Sequence, residues 1–163
     1  SACAKHFPGH GDTAMDSHNG ETYVEHSMER LREVEFVPFQ EAIAREVDFI
    51  MTGHIKTPNA TTDGRPATLS AEMLGILREE LGHDGIIITD AMNMGAIVEE
   101  YGSGESAVLA VQAGADIVLM PADLEEAAQA LTEAMKNGTL TEERVDESLL
   151  RILSLKYDKG MLF

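Results

Sequence analysis

A chain of 163 residues, 44% hydrophobic and 25% charged, has the length and balance of one globular domain with a real core. Lys and Arg number 12 against 29 Asp and Glu, and a net charge of -17 argues against nucleic-acid or anionic-membrane partners. No apolar run approaches the ~18–20 residues that cross a bilayer, and the start shows no signal-peptide pattern. Cys3 is the only cysteine, so no intrachain disulfide is expected, and a reducing, cytoplasmic setting is slightly favoured. Between Ala2 and Ala4 it reads as a buried strand position. The opening at Ser1 in place of methionine leaves the compartment of a longer protein open.

In chain order, residues 2–6 read as a short strand that runs directly into a loop dense in titratable groups. Pro8, Gly9 and Gly11 forbid a helix there and specify a shaped turn. A helix is expected over 36–45, with Phe36, Phe39 and Ile43 on one stripe, before a second strand at 48–54. Residues 57–67, with two prolines and Gly64, read as a loop. Ser70 caps a helix through Glu80, with Gly82 just past its end. Residues 85–90 are the clearest strand, because Ile86, Ile87 and Ile88 in a row suit burial on both faces. A helix over 105–113 stops at Gly114, and residues 116–120 read as a fourth strand. Asp123 caps a helix to Lys136, and Thr141 starts a last one to about Tyr157, with Glu142 and Glu143 in its first turn.

Four strands separated by helices give the βα rhythm of a parallel sheet, hence an α/β fold. Lys5, His6, His54 and Asp90 all fall at the C-terminal ends of their strands. That is the catalytic rim of a β/α barrel, or the ligand crevice of an open doubly wound sheet. Periodicity does not choose between them.

Asp90 ends a rigid strand and is followed by Ala91-Met92-Asn93-Met94-Gly95. A carboxylate so anchored suits a nucleophile, and equally suits the N-cap of a following helix. Asp16-Ser17-His18 sets a carboxylate two residues from an imidazole. Such a pair fixes the ring tautomer for proton transfer, or else forms an Asx-type turn. His6, His10, Asp12, Asp16 and His18 match no zinc-ligand spacing, so no metal and no cofactor is expected. Lys5 and His6 are candidates for binding substrate hydroxyls, with Lys5 alternatively pairing with a carboxylate. His26 and His83 read as surface residues, and Met92 and Met94 as adaptable packing.

Lys5-His6-Phe7-Pro8-Gly9-His10-Gly11-Asp12-Thr13 with Asp16-Ser17-His18, then Ile88-Thr89-Asp90-Ala91-Met92, resembles glycoside hydrolase family 3, in its β-N-acetylglucosaminidase branch. Val37-Pro38-Phe39 and Ala113-Gly114-Ala115-Asp116 extend the likeness over nearly the whole chain. The resemblance implies a retaining glycosidase acting on N-acetylglucosamine-containing glycans of cell-wall type. Asp90 would be the nucleophile, His18 the general acid/base, Asp16 its orienting partner, and Lys5 and His6 the sugar-binding residues. Histidine in the proton-transfer role departs from the usual pair of carboxylates, and its ordinary pKa of about 6.5 suits proton shuttling near neutrality. A neutral ring does not repel an anionic acceptor, which admits a phosphorylase of the same fold. A non-catalytic half-barrel module is the third reading.

The family's catalytic barrel has eight strands and about 250 residues. The four strands expected here match its second half, so residues 1–163 read as the C-terminal half of that barrel. Such a half leaves open sheet edges and an uncovered apolar face, to be completed by dimerisation or by a missing N-terminal half. By itself the piece is expected to be nearly inactive.

Overall fold

The structure is a computed structural model that describes residues 1–11, 13 and 22–162. Its strands are β1 (Cys3–Phe7), β2 (Thr22–Tyr23), β3 (Phe49–Thr52), β4 (Ile55–Lys56) and β5 (Ile86–Thr89). Its helices are α1 (Met28–Arg30), which runs into a π-helical turn Leu31–Glu35, and α2 (Val37–Ala44). Then come α3 (Ala71–Gly75), continued by a π-helical turn Ile76–Glu80, and α4 (Gly95–Val98). The chain closes with α5 (Ser103–Ala113), α6 (Leu124–Lys136) and α7 (Glu142–Asp158). Strands β1, β3 and β5 pair in parallel in that order, with helices between them, as expected for part of a β/α barrel. Strands β2 and β4 form a separate two-stranded parallel ribbon that periodicity did not signal, since two residues carry no period.

Local chemistry sets the helix ends. The Ser70 hydroxyl accepts the Met73 N–H at 3.1 Å, Asp123 accepts that of Glu126 at 3.0 Å, and Thr141 that of Arg144 at 3.2 Å. Gly114 stops α5 at φ 124°, a conformation side chains disfavour. Between α5 and α6, a Cβ on Gly104 would stand 2.8 Å from the Ala130 Cβ, so only glycine permits this approach.

The core lies between the sheet and its helices. Phe7 stacks on Phe36 at a ring distance of 5.3 Å and meets Phe39 edge-on at 5.2 Å, which locks the end of β1 to the segment around α2. Ile50, Ile87, Leu69, Met73, Leu77 and Ile97 continue the same buried cluster.

Three expectations are corrected. The segment 116–120 forms no strand: it meets β5 through a single bridge, Ile88 to Ile117. Backbone bonds remain, the Ile117 carbonyl accepting the Thr89 N–H at 3.0 Å and the Ile87 carbonyl accepting that of Asp116 at 2.7 Å, and side chains take the places between them. Asp116 accepts the Ile87 N–H at 2.9 Å, and the Thr89 hydroxyl accepts the Leu119 N–H at 2.9 Å. Cys3 is exposed, because β1 is an edge strand with β3 on one side and no described strand on the other. Its thiol is still raised above the ordinary pKa by partial burial.

His83 is buried, 1% exposed, in place of lying at the surface. Its Nε2 faces the Ile86 carbonyl at 3.3 Å, and burial holds its pKa below the ordinary value of 6.5, with Arg78 adding to the shift. The unfolded chain therefore binds this proton at a pH where the native ring does not. Stability is expected to fall as pH drops below about 6.5, through the lowered native value. Urea denaturation across pH 4–7.5 should show a shallower slope for His83→Gln than for the parent (roughly the range over which histidine titrates). Parallel slopes would exclude His83 as the source.

Two surfaces stay uncovered. The outer edge of β1 has no neighbour among the described residues. Along α7, Leu149, Leu150, Leu153 and Tyr157 are 48%, 68%, 48% and 69% exposed, an apolar stripe of the kind that normally packs against another element.

Candidate active site

The C-terminal ends of β1, β3 and β5 are held level by bonds that continue past the strands. Gly53 N–H donates to the Phe7 carbonyl at 2.7 Å, and Asp90 N–H to that of Thr52 at 3.1 Å. A Cβ on Gly53 would sit 3.0 Å from Ile55 Cδ1 and 3.3 Å from His6 Cβ, so glycine lets the β3 loop pass tightly under His6.

His6 stands at an irregularity in β1. Lys5 pairs with Met51 and Phe7 with Thr52, so His6 is the extra residue of a bulge. Bulges re-aim side chains near functional sites, and here the imidazole Nε2 lies 3.5 Å from Asp90 Oδ2. The His6 carbonyl accepts the Gly9 N–H at 2.9 Å, closing the turn that follows, and Gly9 itself has φ 136°. His10 meets His6 edge-on at 5.8 Å, and its Nδ1 is 2.6 Å from the Thr13 hydroxyl.

Asp90 caps no helix. The next helix, α4, starts five residues on with Met94 at its cap position. Asp90 Oδ1 instead accepts the N–H of its neighbour Ala91 at 2.8 Å, which fixes the carboxylate plane. The side chain is 18% exposed, enough to be reached and little enough to be held.

Lys5 is exposed on the edge strand, and with His6, Gly9, His10, Gly11 and Glu35 it lines a cleft of about 660 Å³. His6 thus joins this cleft to Asp90. A second cavity, about 520 Å³, lies at the opposite ends of the strands beside Asp48, His83, Asp84 and Arg151. In β/α barrels that end serves stability, and chemistry belongs to the other.

Of the sequence-derived candidates, the structure therefore brings His6 and Asp90 together and sets Lys5 beside them. Asp16 and His18 lie outside the described residues. Among the described residues no group of three or more His, Cys, Asp or Glu is arranged to hold an ion. No described helix is long and apolar enough to cross a membrane. Sequence reasoning assigned no role to the buried His54 and Thr68 or to the partly buried Ala91 peptide, which are linked by hydrogen bonds beside Asp90. His54 stood at the right strand end, but its partners are 14 and 37 residues away.

The likeness to known proteins agrees with this arrangement. The family profile described as "Glycosyl hydrolase family 3 N terminal domain" matches residues 1–155. Beta-hexosaminidase A of Pseudoalteromonas piscicida is 36% identical over 93% of this chain and 29% of its own length. The structure of a glycoside hydrolase family 3 β-N-acetylglucosaminidase from Paenibacillus sp. str. FPU-7 superposes with a TM-score of 0.95 at 47% identity, covering 98% of this chain and 31% of that one. A β-glucoside phosphorylase bound to 2FGlc superposes with a TM-score of 0.88 at 31% identity, covering 94% of this chain and 29% of that one. The chain spans about a third of the length of these relatives. With its α/β architecture, its parallel strands and this match along nearly its whole length, the chain belongs to glycosyl hydrolase family 3.

Proposed function

We propose that this chain is the C-terminal half of the catalytic barrel of a retaining β-N-acetylglucosaminidase. The observation that carries the reading is Asp90, a half-buried carboxylate at the C-terminal end of β5, fixed by the Ala91 N–H and lying beside His6 Nε2. The names of the Pseudoalteromonas and Paenibacillus relatives supply the substrate class.

Asp90 Oδ2, the oxygen not bonded to the Ala91 amide, attacks the anomeric carbon as the bond from that carbon to the leaving oxygen breaks. The protonated His18 ring gives its proton to that oxygen. Water then attacks the same carbon, His18 takes the water's proton, and the ester bond to Asp90 breaks, releasing N-acetylglucosamine with its β configuration retained. Asp16 holds the His18 ring. Lys5 and His6 bind sugar hydroxyls from the β1 side. The roles of Asp16 and His18 rest on the sequence pattern alone.

The complete barrel, meaning this chain joined to the four βα units that would precede it, is the form to assay. It should release nitrophenol from nitrophenyl β-N-acetylglucosaminide, whereas the chain by itself should show under about 1% of that rate, since a site missing half its binding groups loses most of its positioning. By itself the chain should also self-associate through the β1 edge and the α7 stripe, measurable by light scattering. Free N-acetylglucosamine as the product in phosphate buffer supports hydrolysis, and a sugar 1-phosphate would make the protein a phosphorylase. Sugar binding without turnover by the complete barrel would make it a non-catalytic module.

A further inference from the structure

We propose that His54 is a positioning residue for Asp90, acting through the Ala91 peptide. The inference rests on the assignment of Asp90 as nucleophile. His54 is 1% exposed and follows β3, where it cannot reach a substrate. Its ring spans two elements. Nε2 lies 3.0 Å from the Ala91 carbonyl, and Nδ1 lies 3.0 Å from the Thr68 hydroxyl.

Hydrogen-bond accounting fixes what the ring does. A carbonyl oxygen only accepts, so Nε2 must carry a hydrogen and donate to Ala91. Thr68 Oγ1 lies 2.9 Å from the Thr52 hydroxyl and 3.0 Å from the Gly53 carbonyl. Its one hydrogen serves either His54 Nδ1, with a neutral ring, or the Gly53 carbonyl or Thr52 hydroxyl, with a protonated ring donating to Thr68. The Nε2–H bond to Ala91 persists in both arrangements. Thr52 and Thr68 are both fully buried, so the network is anchored in the core and not in solvent.

The Ala91 residue is therefore gripped at both polar groups. Its carbonyl accepts from His54, and its N–H donates to Asp90 Oδ1 at 2.8 Å. The Ala91 carbonyl also accepts the Met94 N–H, at a longer 3.2 Å, and the Met92 N–H of the same peptide unit donates to the Leu119 carbonyl at 2.9 Å. The His54 bond is the one that ties this peptide to the end of β3, and without it the carboxylate plane of Asp90 gains freedom to turn. A nucleophile displaced by a fraction of an ångström loses rate more than affinity, because sugar binding is made by other groups.

The test is a pair of variants in the complete barrel. Glutamine places its amide nitrogen where Nε2 was, keeping the donor to Ala91. Asparagine reaches only as far as Nδ1, keeping Thr68 and losing Ala91. His54→Asn should lower kcat about 100-fold with KM within about 3-fold, while His54→Gln should retain kcat within about 5-fold. The rate of covalent labelling of Asp90 by a fluorinated N-acetylglucosaminyl fluoride should fall in step with kcat. If either variant fails to fold, Thr68→Val gives a second measurement: it removes the Nδ1 anchor at constant shape and should lower kcat about 10-fold, again with KM unchanged. Equal losses in His54→Asn and His54→Gln that follow their melting temperatures would overturn the proposal and leave a packing role. An inactive parent barrel would overturn the nucleophile assignment instead, and this inference with it.

Discussion

Asp90→Asn in the complete barrel is expected to abolish turnover, lowering kcat by about 10⁴-fold or more, because in the proposed mechanism the amide cannot form the glycosyl ester. Folding should be unaffected. The asparagine carbonyl still accepts the Ala91 N–H that Asp90 Oδ1 holds at 2.8 Å, and the site is partly open to water. The sharper experiment is Asp90→Ala with added azide. If Asp90 is the nucleophile, the small anion fills the vacated space and attacks the anomeric carbon from the same side. The product is then a glycosyl azide of α configuration, formed at a rate well above background. A β-configured azide, or a fluorinated sugar label mapped to any residue other than Asp90, would remove the assignment. The half-buried His6, 3.5 Å from Asp90 Oδ2, gives a secondary expectation that its loss weakens both binding and rate.

The largest stability effect is expected at Asp116. Its carboxylate is fully buried and sits among Arg78 at 2.9 Å, Arg151 at 3.2 Å and Arg144 at 3.7 Å. It also accepts the Ser148 hydroxyl at 2.7 Å and the Ile87 N–H at 2.9 Å. One side chain thus ties β5, the π-helical turn after α3, α7 and the fourth segment together. Burial already holds the Arg78 guanidinium below its ordinary pKa, with Asp116 opposing that shift. Removing the carboxylate leaves three cations facing one another and two donors without an acceptor. Asp116→Ala should cost about 3–5 kcal/mol, the range for breaking a buried ion pair from one side, and a domain holds only about 5–15 kcal/mol in all. Urea unfolding of the complete barrel measures it. A loss below about 1 kcal/mol would show that the arginines relax to solvent, their side chains being 18–26% exposed.

Features written into local sequence were legible. Ser70, Asp123 and Thr141 cap the helices expected of them, because a cap needs only its own side chain and an amide three residues on. The isoleucine run became β5 for the same reason. Features that depend on a distant partner were not legible. Segment 116–120 has a strand's composition, yet the Asp116 carboxylate takes the Ile87 N–H of β5 and the Thr89 hydroxyl takes the Leu119 N–H, so the pairing with β5 shrinks to one bridge. His83 looked like a surface residue until Arg78 and the chain before β5 folded over it; Arg78 donates to both the His83 and Gly85 carbonyls. Cys3 looked buried because its neighbours are small, but burial of an edge strand is decided by what lies beside it. At the site, Lys5, His6 and Asp90 were legible from strand ends, and the support beside Asp90 was not.

The bulge at His6 separates two demands that usually fall on the same residue. Cys3, Ala4, Lys5 and Phe7 carry the register with β3, and Phe7 alone anchors the strand among Phe36 and Phe39. Position 6 is supernumerary to that pairing, so its side chain can change without disturbing the register on either side. In the proposed sugar-binding role, what stands at position 6 is then answerable to ligand chemistry and hardly at all to folding. A library randomised at this one codon would sample sugar preference on an almost constant scaffold.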